Sequence, residues 1–301
     1  MSERKHPILF GLLIIALVLG GLSLLWGGIA YFFMDDSDLS FGNKLAVVNV
    51  KGVITDSKSV VEQLKKYRKD DKIKAIILRI DSPGGGTAAS QEIYREVLKT
   101  SSQKKVVASM GNVAACGGYY VALGAHKIVA NPATLTGSIG VIMELPNFKD
   151  LLHKIGISRE AIKSGRFKDI GSPTRDLKPE ERSLLEGVIK NVHRQFVEVV
   201  AKGRKLNRER VEEIADGRIF TGEQAKSLGL VDELGSFEDA VETAKKMAGL
   251  TGEIKLVYTE KKPFSVWEYI FSKMIGEIRD TLQPAWPTEQ LLFVPPVFYR
   301  N

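Results

Sequence analysis

The sequence predicts an α/β fold with a largely parallel sheet, preceded by one transmembrane helix. Three observations predict it. Short apolar runs of strand type recur at residues 45–50, 73–80, 105–110 and 127–130. Helical patterns separate them at 58–69, 88–100 and 119–124, and strands joined by helical crossovers build right-handed β-α-β units. Ahead of all these, residues 8–34 are uncharged and mostly apolar, enough for a helix that needs about 20 apolar residues to cross a bilayer.

The amino-terminal run is read as a retained anchor. Arg4 and Lys5 precede it, and Asp35, Asp36 and Asp38 follow, a bias that leaves the amino terminus in the cytoplasm and exports the body. A cleaved signal peptide would have an apolar region of about 7–15 residues ending in small residues; here Tyr31, Phe32, Phe33 and Met34 stand in that place. The expected organisation is a cytoplasmic tail (1–7), an anchor (8–34), a linker (35–43), a globular body (44–260) and a tail (261–301).

Within the body, Leu45–Val50 reads as a buried strand, Lys58–Lys69 as a helix and Ile73–Ile80 as a second strand. Asp81–Gly86 reads as a turn, Ala88–Thr100 as a helix, and Lys105–Met110 as a strand ended by Gly111. Tyr119–Gly124 is expected to be helical and Lys127–Ala130 a short strand. Pro179 suits the first turn of a long helix reaching about Lys202, with Glu180 and Glu181 at its positive end. Thr221 and Gln224 have capping-box spacing, Asp239–Met247 is amphipathic, and Glu253–Tyr258 reads as an edge strand. The tail contains Trp267, Trp286, Pro284, Pro287, Pro295 and Pro296 and reads as an appendage.

Composition narrows the chemistry. The net charge is +7, from 43 basic and 36 acidic residues, and the basic residues are scattered along helices, a pattern of solvated faces rather than of a nucleic-acid groove. One cysteine allows neither an intrachain disulfide nor a cysteine metal site. The four histidines (His6, His126, His153, His193) lie far apart, so neither a metal nor another cofactor is expected.

Three stretches remain as candidates. Asp81-Ser-Pro-Gly-Gly-Gly86 follows a strand, and its glycines let the backbone approach a ligand and aim amides at it; a plain strand-to-helix turn would look the same. Gly111-Asn-Val-Ala-Ala-Cys116-Gly-Gly-Tyr-Tyr120 places Cys116 where a helix begins. A helix start favours the thiolate, although a buried structural cysteine would fit the same small neighbours. Lys163-Ser-Gly-Arg-Phe-Lys168-Asp-Ile-Gly-Ser-Pro173 is a polar loop whose lysines, alone, are ordinary.

Taken in order with Asn131-Pro-Ala-Thr-Leu-Thr-Gly-Ser138-Ile-Gly-Val141 and the run Arg218 to Gly235, these stretches resemble the short form of the signal peptide peptidase A family, over roughly Leu45 to Leu250. The resemblance implies the Clp-protease/crotonase fold, a β-α superhelix assembling into rings or domes. It also implies a serine–lysine dyad that cuts remnant signal peptides in the membrane. By position the nucleophile falls on Cys116, the base on Lys168, the oxyanion donors on the amides of Gly85 and Gly117, and a lysine-orienting hydroxyl on Ser138. Cysteine stands where that family carries serine. A Cys–Lys peptidase, a weak or inactive scaffold, and a serine enzyme with this residue changed are the three readings that follow. A regulated protease cutting one membrane protein is a further alternative, and a Cys–His pair would need His126 or His153 beside Cys116. One repeat of this length, in a family whose long form shares its dyad between two, leads us to expect a homo-oligomer with shared sites, acting on signal peptides or other apolar peptides outside the membrane.

Overall fold

The computed structural model describes residues 14–26 and 43–258, with the backbone of residues 292–293. The cytoplasmic tail, most of the linker, the ends of the expected anchor and nearly all of the carboxy-terminal tail lie outside the described residues. The chain divides into two units, residues 1–42 and 43–301. In the first, residues 14–26 form an exposed helix, α1. Among the described residues no helix is long and apolar enough to cross a membrane.

The second unit is built on a mixed, mostly parallel sheet. Its strands are β1 (Asn43–Ile54), β2 (Ile73–Gly86), β3 (Lys105–Ala115), β4 (Lys127–Ala130), β5 (Leu135–Gly137), β6 (Ile219–Thr221), β7 (Glu233–Leu234), β8 (Ile254–Tyr258) and β9 (Leu292–Phe293). The spatial order is β6-β5-β3-β2-β1-β8, with β4 on β3, β7 on β4 and β9 on β2. The pairings β5–β6 and β2–β9 are antiparallel and the rest parallel.

The three long strands are apolar without alternation because both faces are covered. Along β1, Ala46, Val48 and Val50 enter one core and Leu45 and Val47 the other. The larger core takes α2 (Lys58–Lys69), α3 (Thr87–Ser101), α4 (Gly117–Ala122) and α6 (Pro179–Arg204), whose buried residues Leu64, Ile93, Tyr119 and Phe196 belong to it. The opposite face is covered by α9 (Phe237–Met247) through Ala240, Val241 and Ala244. Three short helices complete the set: α5 (Lys149–Lys154), α7 (Arg208–Glu212) and α8 (Gly222–Ser227).

Two strands run further than their apolar stretches. Asp81–Gly86, expected to be a turn, is the end of β2: after a register shift, Gly84 lies opposite Val53 and Gly85 opposite Ile54. Likewise β3 passes through Gly111 to Ala115, because residues 113–115 pair with β5. In both cases ladder pairing continues past the last bulky side chain. The two extensions bring the glycine loop and the cysteine to the same end of adjacent strands.

Candidate active site

Cys116 links the end of β3 to the start of α4. Its backbone has φ 54° and ψ −117°, a conformation that L-residues adopt at a cost of about 1–3 kcal/mol when the surroundings enforce it. The enforcement is visible. The Cys116 amide donates to the Gly137 carbonyl at 2.9 Å, and its carbonyl accepts from the Tyr120 amide at 2.8 Å. The neighbouring Thr136 hydroxyl donates to the Ala114 carbonyl at 2.7 Å. A strained strand-to-helix turn of this kind is a recurring way to aim a nucleophile.

The thiol is 3% exposed. Burial pushes its pKa up to about 12, although the Ser138 hydroxyl and the Gly117 amide both act to lower it. The expectation that a helix start favours the thiolate therefore fails within one subunit. The reason is physical: α4 has six residues, and its partial charge does not offset removal of the sulfur from water. The neutral thiol instead faces the Gly140 carbonyl at 3.8 Å.

The glycine loop lies against the cysteine. Ser82 donates to the Gly52 carbonyl at 2.6 Å and accepts from the Gly84 amide at 3.1 Å, which fixes the approach of Gly85. A Cβ on Gly85 would lie 2.3 Å from the Ile54 carbonyl oxygen, so only glycine fits. A Cβ on Gly117 would lie 2.5 Å from Ser90 Oγ and 3.3 Å from the Gly85 nitrogen. The structure thus brings Cys116, Gly117, Ser138 and Gly85 together. The edge of β2 at Gly85 and Gly86 also carries an antiparallel neighbour: β9 pairs Phe293 with Gly85 and Leu292 with Gly86.

Lys168 is placed differently. It is exposed on the loop after α5, with its amide donating to the Gly165 carbonyl at 3.1 Å. Among the described residues, the groups that act on the Cys116 thiol are Ser138, Gly117 and Gly140, and Lys168 is not one of them. Helix α6 meets the cysteine segment and the lysine segment at different places. Its Phe196 ring packs at a tilt of 58° against Tyr120, with centroids 5.0 Å apart, one turn beyond Cys116. The lysine loop is tied instead to Glu181 at the other end of α6 through Arg175. Fifteen residues separate Glu181 from Phe196, about 22 Å of helix.

Among the described residues, no histidine acts on the Cys116 thiol. The His126 Nδ1 accepts from the Val106 amide at 3.2 Å, near the start of β3 and about 30 Å of strand from Cys116. Burial lowers its pKa. His153 sits on α5, which has no buried residue. Among the described residues no cluster of His, Cys, Asp or Glu could hold a metal ion.

The other motif residues support the site from behind. Tyr119 donates its hydroxyl to the Leu230 carbonyl at 2.9 Å. Asp232 receives a bidentate Arg204 and the Ile128 amide. Gly140 lies inside the Asn131–Val141 motif, but nothing in the sequence marks Arg175; the contacts of both appear only in the fold.

Comparison with known proteins points to a peptidase family. Residues 99–251 match the model of peptidase family S49, and residues 43–138 match that of Clp protease. A Synechocystis protein provisionally named a protease is 50% identical over 209 residues, 69% of this chain and 75% of that protein. An Enterococcus faecium protein provisionally named signal peptide peptidase SppA is 38% identical over 229 residues, covering 71% of this chain and 67% of its own. Protease 4 of Salmonella typhi is 37% identical over 254 residues, 81% of this chain but 41% of that longer protein.

Proposed function

The chain belongs to peptidase family S49, and on that premise we propose that it is a membrane-anchored endopeptidase that degrades remnant signal peptides with a Cys116–Lys168 dyad shared between two copies. The observation that carries the reading is the strained backbone of Cys116, with the Gly117 amide on its sulfur and Gly85 beside it. A buried structural cysteine has no need of that conformation.

The chemistry follows from the groups present. The Cys116 thiol gives its proton to the amine of Lys168 from a second copy, and the sulfur attacks the scissile carbonyl carbon. Negative charge on the carbonyl oxygen meets the amides of Gly85 and Gly117. The lysine ammonium returns the proton to the leaving amine, which departs and leaves a thioester. Water then attacks the thioester while the amine takes its proton, and the thiol re-forms as the acid product leaves. Cysteine eases the first step, since a thiol is a stronger acid than the serine hydroxyl it replaces and gives its proton to a neutral amine more readily. Ser138, already on the sulfur, is positioned to bond an arriving amine as well.

Three observations support the remaining parts. The pairing of β9 with Gly85 and Gly86 marks an edge that accepts an extended peptide as an added strand. The segment bearing Lys168 exposes Phe148, Leu151, Ile155, Ile157 and Ile162, an apolar face suited to a second copy. The uncharged run 8–34 supports the anchor, with the body exported.

The test is turnover of synthetic signal peptides by the full chain in detergent, beside Cys116→Ala. Cleavage lost in the variant supports the reading. A wild-type chain that cleaves neither these nor other apolar peptides, while folded and assembled, would favour the scaffold alternative.

A further inference from the structure

We propose that Arg175 is the positioning residue for Lys168, clamping the lysine loop to the buried end of α6; this rests on the reading of Lys168 as the base. The segment from Lys163 to Ser172 has little core of its own. Its backbone is a series of tight turns, with Lys168 donating to Gly165, Ile170 to Phe167 and Ser172 to Asp169, each at 3.1 Å. Such turns shape a loop but do not fix it to the molecule.

Arg175 supplies the fixing. Its Nε donates to Asp169 Oδ2 at 2.9 Å, and one terminal nitrogen reaches the Asp169 carbonyl at 2.9 Å. The same guanidinium meets both oxygens of Glu181, at 2.8 and 2.6 Å, and the Asp176 carbonyl at 3.0 Å. All five guanidinium N–H donors are therefore placed, which is the full capacity of the group. Lys163 adds an ion pair to Asp169 at 2.5 Å. Glu181 is 1% exposed and sits in the first turn of α6, where it also accepts from the Lys178 amide at 3.0 Å.

The arrangement exceeds what a helix cap needs. Glu181 caps the start of α6 by itself, accepting from the Lys178 amide. The bonds to Asp169 contribute nothing to that cap; they hold the residue immediately after Lys168. The clamp therefore connects the base to α6, and α6 connects through Phe196 and Tyr120 to the helix that follows Cys116. Within one subunit, α6 thus touches both the helix after Cys116 and the clamp on the lysine loop.

The experiment measures kcat and KM of the full chain for an apolar signal peptide, with the rate of Cys116 alkylation by iodoacetamide, in Arg175→Met and Asp169→Asn. A 1 Å displacement of a catalytic group costs about 100-fold. The expected result is a 10- to 100-fold fall in kcat with KM within about two-fold, at unchanged melting temperature and assembly. Alkylation should fall toward the rate of Lys168→Ala. Arg175→Lys should not restore kcat, because an ammonium cannot reproduce a five-donor fork. If Arg175→Met fails to fold or assemble, Asp169→Asn decides, since it leaves the Arg175–Glu181 pair intact. Wild-type kcat in Asp169→Asn or a folded Arg175→Met, where Lys168→Ala is inactive, overturns the clamp alone. Full turnover by Lys168→Ala instead removes the base assignment on which the clamp rests.

Discussion

Burial aims the Cys116 sulfur and also keeps it protonated. With its pKa pushed up to about 12, the thiol of an isolated subunit stays neutral across the working range of a peptidase. An acid raised in this way loses its proton only as pH climbs toward the raised value. In Lys168→Ala, alkylation of Cys116 by iodoacetamide should therefore keep rising with pH up to 10, whereas the wild-type assembly should level off at lower pH. A plateau near pH 8 in the variant would show that the thiol needs no outside cation. Gly117 offers a second test. A methyl group there meets Ser90 Oγ at 2.5 Å and crowds the Gly85 nitrogen at 3.3 Å, so Gly117→Ala should lower kcat about 100- to 1,000-fold, the loss expected when one oxyanion donor is displaced. A kcat within three-fold of wild type would remove Gly117 from that role. The family resemblance, carried over position by position, assigns the roles of Cys116, Lys168, Ser138 and the two glycines; the residues alone leave Lys168 an ordinary loop lysine. The thiol's protonation state was not legible: six helical residues predict a depressed pKa, and only the packing around the sulfur reverses the sign.

At the scale of elements, the site depends on ties between strands and the helices behind them. Arg204 near the end of α6 grips both oxygens of Asp232, and that carboxylate also accepts from Ile128 at the end of β4. Removing one partner of a mostly buried pair leaves the other uncompensated, so Asp232→Ala should cost about 3 kcal/mol. For a domain of this size that lowers the melting temperature by about 6–12 °C. Calorimetry checks it, and a change under 2 °C would contradict the role given to the pair. Elements with a long period were readable in the sequence. Lys58–Lys69 is the helix α2 as expected, and the Thr221–Gln224 capping box is present. Strands β5, β6 and β7 have three residues or fewer, too short for a period to register. The glycine ends of β2 and β3 were misjudged because glycine breaks an isolated strand, while here paired neighbours hold it extended.

At the scale of the whole molecule, the proposed dyad raises the question of how many chains build it. Cys116 and Lys168 are 52 positions apart in the chain, and chain spacing alone leaves open whether the two meet. The fold adds a direction: Tyr120, in the helix after Cys116, packs on Phe196 of α6, while Asp169, next to Lys168, is tied through Arg175 to Glu181 in its first turn. With the exposed apolar residues of the Lys168 segment, that arrangement favours a site completed by a neighbour. The most direct measurement combines Cys116→Ala chains with Lys168→Ala chains under conditions of subunit exchange and follows signal-peptide cleavage. Each variant alone should be inactive, and the mixture should recover part of the activity, because some interfaces then join an intact cysteine to an intact lysine. Variants that demonstrably co-assemble and yet regain no activity would place the dyad within one chain and contradict the shared site.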